Sequence, residues 1–368
     1  MPFTIPFKRH AALIAGLSAL LATPSVLAEE RVQVIASFSI LADMVEQVGG
    51  EHVEVDALVG PNGDAHVYSP RPDDARNLAH ADLVVFNGMH FEGWMERLLE
   101  AGDYEGPKVV ATAGIATQEE AADSQDHAHA SHDHADHDHG EHDHSGHDHA
   151  EHDHSDHDHA AHNHAEHGHS GHDHDHAHHG HGHLHDHGGQ DPHAWLDPML
   201  GKTYVSNIRD GLIAADPAHE AEYRQRAQAY MAELEALDAE IREQMSALPE
   251  STSIITGHDS FGYFAKAYGV SFLSPVGLST ASEPSAAGMA ELIDVIKAND
   301  VRALFHENMT SPALIDQLAE ETGRPVAGTL YSGALAPEGE ASTYIGMMRH
   351  NAHVLHDALA EPEHDHEH

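Results

Sequence analysis

Three histidines stand in loops of similar composition and could together bind a metal ion. His66, His193 and His258 each have a glycine or a proline and an aromatic residue close by in the sequence. Imidazole is the commonest protein ligand for transition metals. A lone loop histidine is more often a surface or capping residue, so the prediction of a metal site depends on all three sharing this setting.

The predicted elements around these residues suggest how they could meet. His66 follows a predicted strand at Val53–Val59, and His258 follows another at residues 253–256, in a different part of the chain. Ligands of open α/β sheets bind beyond the carboxyl ends of the strands. If the two strands belong to separate lobes, the pattern predicts an interlobe metal held from both sides.

Strands alternate with helical segments in two stretches, and this alternation predicts a parallel sheet in each. In the first stretch, Ser39 is the predicted N-cap of a helix that glycines 49 and 50 end. Between the stretches, Asp216 and Pro217 signal the start of a helix with an apolar stripe, about 48 Å long. The predicted fold class is α/β, with two parallel-sheet lobes joined by one long, rigid helix.

The predicted elements divide the chain into four parts. Residues 1–28 are expected to be a signal peptide, and residues 29–215 an N-terminal α/β lobe that contains a His-rich insert at 121–189. Residues 216–249 are expected to form the linking helix, and residues 250–368 a C-terminal α/β lobe that ends in a short His-rich tail.

The first 28 residues have the pattern of a cleaved leader. Lys8 and Arg9 precede an apolar run at residues 11–22, and Ala28 ends an A-x-A-like cleavage site. The apolar run is shorter than the roughly 20 residues that a membrane span needs. The leader therefore predicts an exported, periplasmic protein without a membrane anchor.

Composition excludes several classes of partner and chemistry. The chain has 368 residues, 17 Lys and Arg against 62 Asp and Glu, a formal charge of −45, and no cysteine. Nucleic acids and anionic membranes favour clustered basic residues, so neither is an expected partner. The lack of cysteine excludes disulfides, thiolate metal sites and lipid attachment at an N-terminal cysteine.

Histidine is concentrated in one low-complexity segment. Residues 127–187 hold 27 of the 42 histidines, alternating with acidic and small residues and without any Lys or Arg. So few apolar side chains cannot offset the entropy of ordering, and the insert is expected to be disordered without metal. It is interpreted as a weak, multivalent metal collector, the alternative being a solvated spacer. His364, His366 and His368 in the tail are interpreted in the same way.

Six segments of the chain together match a known family pattern: residues 64–68, 87–94, 191–198, 257–264, 282–285 and 344–351. They resemble the periplasmic solute-binding proteins of metal ABC transporters, the cluster A-I family, and in particular its zinc-binding ZnuA-like branch. The His-rich insert resembles one characteristic of that branch. The resemblance covers nearly all of the chain from residue 29 onward, apart from the insert.

The resemblance implies a monomeric protein that captures Zn²⁺ and delivers it to an inner-membrane ABC permease. It places the first three metal ligands on His66, His193 and His258. Manganese-type members are expected to carry Glu at the third position, and imidazole suits zinc whereas manganese prefers carboxylate and water. One departure concerns the fourth ligand: Gly333 stands where many members have an acid, which leaves water, Asp64 or a histidine of the insert.

Two other functions are compatible with the sequence. One is manganese or iron capture on the same fold, and the other is a metal buffer or adhesin that works mainly through the insert. Catalysis is not expected, because the chain has no H-E-x-x-H, G-x-S-x-G or P-loop motif. Among other residues, Trp94 and Trp195 are predicted as core or crevice-wall aromatics. Glu307 is expected to make a structural contact, the alternative being a hydrogen bond to a ligand histidine.

Overall fold

The computed structural model describes residues 31–115, 190–249, 252–298 and 301–360. The predicted leader (1–28), the His-rich insert (121–189) and the histidines of the C-terminal tail lie outside these residues. Among the described residues, no helix is both long enough and apolar enough to cross a bilayer.

The N-terminal lobe is a four-stranded parallel sheet with helical crossovers. The elements are β1 (Val32–Phe38), α1 (Ser39–Gly49), β2 (Val53–Val59), α2 (Pro72–Leu78), β3 (Leu83–Phe86), α3 (Met95–Ala101) and β4 (Lys108–Val110). The strands lie in the order β2-β1-β3-β4, so the first crossover goes to one side of β1 and the second to the other.

Two long helices come between the two sheets along the chain, α4 (Pro198–Ala215) and α5 (Glu220–Ser246). The apolar stripe predicted for the linking helix is buried along α5, at Tyr223, Ala227, Tyr230, Leu234, Leu237, Ile241 and Met245. Helix α5 packs against α1 and α4 on one side and against two helices of the C-terminal lobe on the other. It therefore links the two lobes.

The linking segment differs from the sequence prediction in two respects. Helix α5 has 27 residues and is about 40 Å long, because Asp216 caps a short 3-10 turn at Pro217–His219 rather than the α-helix itself. Helix α4 is not predicted at all. Its start carries the same kind of signal, since the Asp197 carboxylate accepts a hydrogen bond from the Met199 N–H and proline follows Asp197.

The C-terminal lobe repeats the sheet order of the first. Its elements are β5 (Ser253–Ile255), α6 (Gly262–Tyr268), β6 (Ser271–Leu273), α7 (Ala286–Ala298), β7 (Val301–Glu307), α8 (Ala313–Thr322), β8 (Val326–Leu330) and α9 (Tyr344–Leu359). The strands lie in the order β6-β5-β7-β8 and are all parallel, which confirms the prediction of two parallel-sheet α/β lobes.

One continuous buried cluster contains side chains of both lobes and of the two connecting helices. Polar contacts also cross between the lobes. The prediction that Ser39 caps α1 is wrong, because Ser39 is the first residue of the helix and Phe38 occupies the cap position. The Ser39 hydroxyl instead accepts a hydrogen bond from the Leu335 N–H, 3.0 Å away in the other lobe. Shared apolar burial and such contacts restrict movement of one lobe against the other.

Candidate metal centre

His66 lies in the loop that follows β2, and two contacts hold its backbone in place. The Asp64 carboxylate accepts a hydrogen bond from the His66 N–H at 2.9 Å. The Trp94 indole N–H donates to the Ala65 carbonyl at 2.7 Å. Trp94 is buried in the wall of the N-terminal lobe, as predicted, and it anchors the residue next to the histidine.

His193 lies just before α4 and is fully buried. One carboxylate oxygen of Asp191 accepts two hydrogen bonds from His193. It lies 2.9 Å from the backbone nitrogen and 2.8 Å from Nδ1 of the ring. The loop is tied to the N-terminal lobe because the Asn87 side-chain amide donates to the Pro192 carbonyl at 3.0 Å. Contacts to Nδ1 leave the Nε2 atom of the ring facing the gap between the lobes.

His258 follows β5 in the C-terminal lobe and is also buried. Oε1 of Glu307 accepts from the His258 N–H at 3.0 Å, and Oε2 lies 2.5 Å from Nδ1 of the ring. Oε2 also accepts from the Ser332 hydroxyl at 2.7 Å. The alternative named for Glu307, a contact to a candidate ligand histidine, is therefore the one that is found. Glu307 ends β7, the neighbour of β5, and this pairing brings it to the histidine.

The three imidazoles meet at one point between the lobes. Nε2 of His193 is 3.2 Å from Nε2 of His66 and 3.4 Å from Nε2 of His258. Each residue offers one ligand atom within 4.8 Å of the other two. Zinc–nitrogen bonds of about 2.0–2.1 Å in a tetrahedron would place two ligand nitrogens about 3.3–3.4 Å apart. The spacing therefore suits a tetrahedral ion.

Burial and neighbouring charges set the protonation of this cluster. Burial, reinforced by His193 and His258, lowers the pKa of His66 to about 2. Burial, reinforced by His258, lowers the pKa of His193 well below its ordinary value. Burial also acts to lower the pKa of His258, but the adjacent Glu307 carboxylate outweighs it and raises that pKa above the ordinary value. The same pair lowers the pKa of Glu307 despite its burial. His258 is therefore the ligand candidate that holds a proton most strongly.

This difference predicts how metal binding depends on pH. Zinc needs neutral imidazole, so only the proton on His258 should compete with it between pH 7.5 and 5.5. Affinity should fall by about tenfold per pH unit below the raised pKa of His258, starting above the ordinary imidazole value of about 6.5. Chelator competition at several pH values measures this slope. In Glu307→Gln the decline should begin at lower pH, and an unchanged affinity from pH 7.5 to 5.5 would contradict the prediction.

The structure also bears on the fourth ligand. Asp64 uses one carboxylate oxygen for the His66 N–H and the other for the Thr280 hydroxyl, at 2.6 Å. Gly333 has no donor, and a Cβ there would lie 2.6 Å from the Met309 sulfur. Among the described His, Asp and Glu residues, the group with metal-ligand spacing consists of the three histidines. The described His, Asp and Glu residues therefore do not add a fourth metal ligand to the three histidines.

The supporting role of these carboxylates was missed at the sequence level, although two of them left a signal. Asp191 stands two residues before His193, and Asp64 stands two residues before His66. This repeated Asp-x-His spacing allows the carboxylate to accept from the histidine N–H, as both do here. Glu307 has no such local signal, because it is 49 residues from His258 along the chain.

Comparison with known proteins gives a consistent result for nearly the whole chain. The sequence profile of the ZnuA family, zinc-uptake complex component A, periplasmic, matches residues 34–358. The iron-binding protein YfeA of Yersinia pestis is 29% identical over 356 residues, which cover 93% of this chain and 94% of that protein. The manganese-binding lipoprotein MntA of Bacillus subtilis is 29% identical over 340 residues, covering 90% and 91%.

A zinc-binding relative is similar both in sequence and in structure. The zinc-binding protein TroA of Treponema pallidum is 26% identical over 355 residues, covering 95% of each chain. The solved structure of periplasmic TroA superposes with a TM-score of 0.69 and 25% identity, covering 90% of this chain and all of that one. The three relatives match this chain over nearly their whole length, and TroA also matches it in fold, but their names refer to three different metals.

Proposed function

The chain belongs to the ZnuA family of periplasmic zinc-uptake components, and on that premise we propose that it captures Zn²⁺ at His66, His193 and His258 for import. Members of this family are metal-binding substrate-binding proteins of ABC importers and not enzymes. The partners are accordingly a metal ion and an ABC permease. The choice of zinc, the three ligands and delivery to an inner-membrane permease are the proposal.

The observation that carries the proposal is the spacing of three imidazole nitrogens at 3.2 and 3.4 Å. Relatives are named for iron, manganese and zinc, so the choice of metal depends on the donor atoms. The cluster offers nitrogen, which suits zinc, rather than the carboxylate oxygen that manganese prefers. The nearby carboxylates of Asp191 and Glu307 contact the histidines that would bind the ion.

These two carboxylates explain how the site prepares its donors. When Nδ1 of a histidine donates to a carboxylate, the unprotonated Nε2 atom is left to bind metal, and the ring is held in one orientation. Asp191 serves His193 in this way, and a carboxylate oxygen of Glu307 lies 2.5 Å from Nδ1 of His258 on the same side of the ring. Because the lobes share one buried core, the ion would meet a largely preformed site.

The remaining parts of the proposal concern residues outside the described ones. The leader would direct the chain to the periplasm and be cleaved after Ala28, leaving a protein without a membrane anchor that works as a monomer. The His-rich insert would collect metal and raise its local concentration near the centre. In this proposal the insert is an accessory to the three histidines and not the working site.

Deleting residues 121–189 should therefore leave one tight zinc site. We expect chelator competition on this variant to give zinc binding that excess manganese does not displace, and His258→Ala in the same background to abolish it. Displacement by manganese would favour manganese or iron capture instead. Loss of tight binding on deletion alone would favour a metal buffer that uses mainly the insert.

A further inference from the structure

A cavity of about 560 Å³ lies next to the metal centre. Its wall includes buried His258 of the cluster, Asp64 from the N-terminal lobe, and Thr280 and Glu283 from the loop between β6 and α7. Glu283 is exposed whereas His258 is buried, so the cavity leads from the protein surface toward one of the three histidines without exposing it to solvent. Carboxylate and hydroxyl oxygens along such a passage would attract a hydrated cation.

One hydrogen bond crosses this cavity from lobe to lobe. The Thr280 hydroxyl donates to Oδ2 of Asp64 at 2.6 Å. Oδ1 of the same carboxylate accepts from the His66 N–H at 2.9 Å. A single side chain therefore connects the loop of the C-terminal lobe to the backbone of a candidate metal ligand in the other lobe.

The loop that carries Thr280 has few other attachments. None of residues 278–284 is buried. Their hydrogen bonds, apart from the one to Asp64, stay inside the loop and join Ser279 to Ala281 and Ser282. Segments with few buried contacts open at low free energy.

The residues just before this loop are held much more firmly. The Asp259 N–H donates to the carbonyls of Val276 and Gly277, at 3.0 and 3.2 Å. Val276 also forms a β-bridge with His258. Movement of the loop would therefore begin after Gly277 and leave His258 in place.

We propose that this cavity is the route by which zinc enters and leaves the centre, and that the Asp64–Thr280 hydrogen bond holds it closed. The inference rests on the proposed function. The bond touches no ligand atom, so weakening it should speed entry and release together and change the equilibrium affinity little. Asp64 is then a positioning residue, which couples closure of the route to the backbone of His66.

Thr280→Val tests this inference, because it removes the hydroxyl and preserves the shape of the side chain. The full-length mature protein, loaded with one equivalent of zinc, is mixed with excess fluorescent chelator in a stopped-flow instrument. We expect release to be about tenfold faster, the factor that corresponds to about 1.4 kcal/mol, with the dissociation constant changed by less than about threefold. Association, measured separately, should accelerate by a similar factor.

Two further variants serve as controls. Thr280→Ser keeps the donor and should restore the wild-type release rate. Ser279→Ala removes a hydroxyl that bonds only within the loop, and should leave release unchanged. An unaltered release rate in Thr280→Val would overturn the inference, as would faster release with unchanged association, since the bond would then only stabilise the bound site. Equal zinc affinity of wild type and His258→Ala would instead reject the proposed function.

Discussion

Replacing His193 with alanine in the otherwise intact protein should lower zinc affinity by at least about a hundredfold. Its Nε2 atom lies close to both other imidazoles, 3.2 Å from Nε2 of His66 and 3.4 Å from Nε2 of His258. Losing an outer partner of a metal ligand already costs about 10- to 100-fold in affinity, so losing the ligand itself should cost more. The variant would also leave Asp191 buried without its imidazole partner.

Chelator competition with the purified mature protein measures this loss. His90→Ala is a matched control, because His90 belongs to the N-terminal lobe but is exposed and outside the cluster. Its affinity should equal that of the wild type. If His193→Ala bound zinc within about threefold of wild type, the three-histidine centre would not be the capture site. Circular dichroism of both variants would separate loss of ligand from loss of fold.

Replacing Trp195 with alanine should produce the largest loss of stability, about 3–5 kcal/mol in the free energy of unfolding. The indole is completely buried, and its ring centroid lies 5.0 Å from that of Phe38 and 4.9 Å from that of Phe91. Its N–H donates to the Ser332 carbonyl of the C-terminal lobe at 2.7 Å. The substitution would thus remove apolar packing and a contact between the lobes together.

Urea unfolding of the metal-free protein, followed by circular dichroism, measures this effect without a contribution from bound zinc. Trp195→Phe is the informative comparison. It keeps an aromatic ring in the cluster but loses the bond to Ser332, so we expect a smaller loss than for alanine. A loss below about 1 kcal/mol for Trp195→Ala would show that this residue does not hold the lobes together.

Both predictions depend on the same feature, which is that the metal centre is built on the shared core. Trp195 packs against His193, with ring centroids 5.2 Å apart, and Phe91 packs against His66 at 4.5 Å. Trp195, which bonds to the C-terminal lobe, and Phe91 of the N-terminal lobe therefore each support a candidate ligand. Such support limits how far the ligands can move, which is consistent with release through a loop rather than through wide opening of the lobes.

Local patterns were sufficient for most of the fold. The alternation of strands and helices predicted two parallel sheets, and the apolar stripe from Tyr223 to Met245 predicted the buried face of α5. These features depend on residues a few positions apart, whose spacing follows from the period of a helix or a strand. Ends of elements were less predictable. Serine is a residue type that often caps helices, but in the folded protein the Ser39 hydroxyl accepts a hydrogen bond from the Leu335 N–H instead.

The amino-acid sequence by itself determined which residues could form the centre, because histidine type, neighbouring turn residues and the ends of predicted strands are all local properties. Only the tertiary structure decided the distances between the imidazoles, the role of Glu307 and the bond from Asp64 to Thr280, 216 residues apart. These contacts depend on how the sheets pair and how the two lobes pack. A contact between distant residues has no local signal, since the intervening chain can join them in many ways until the core brings them together.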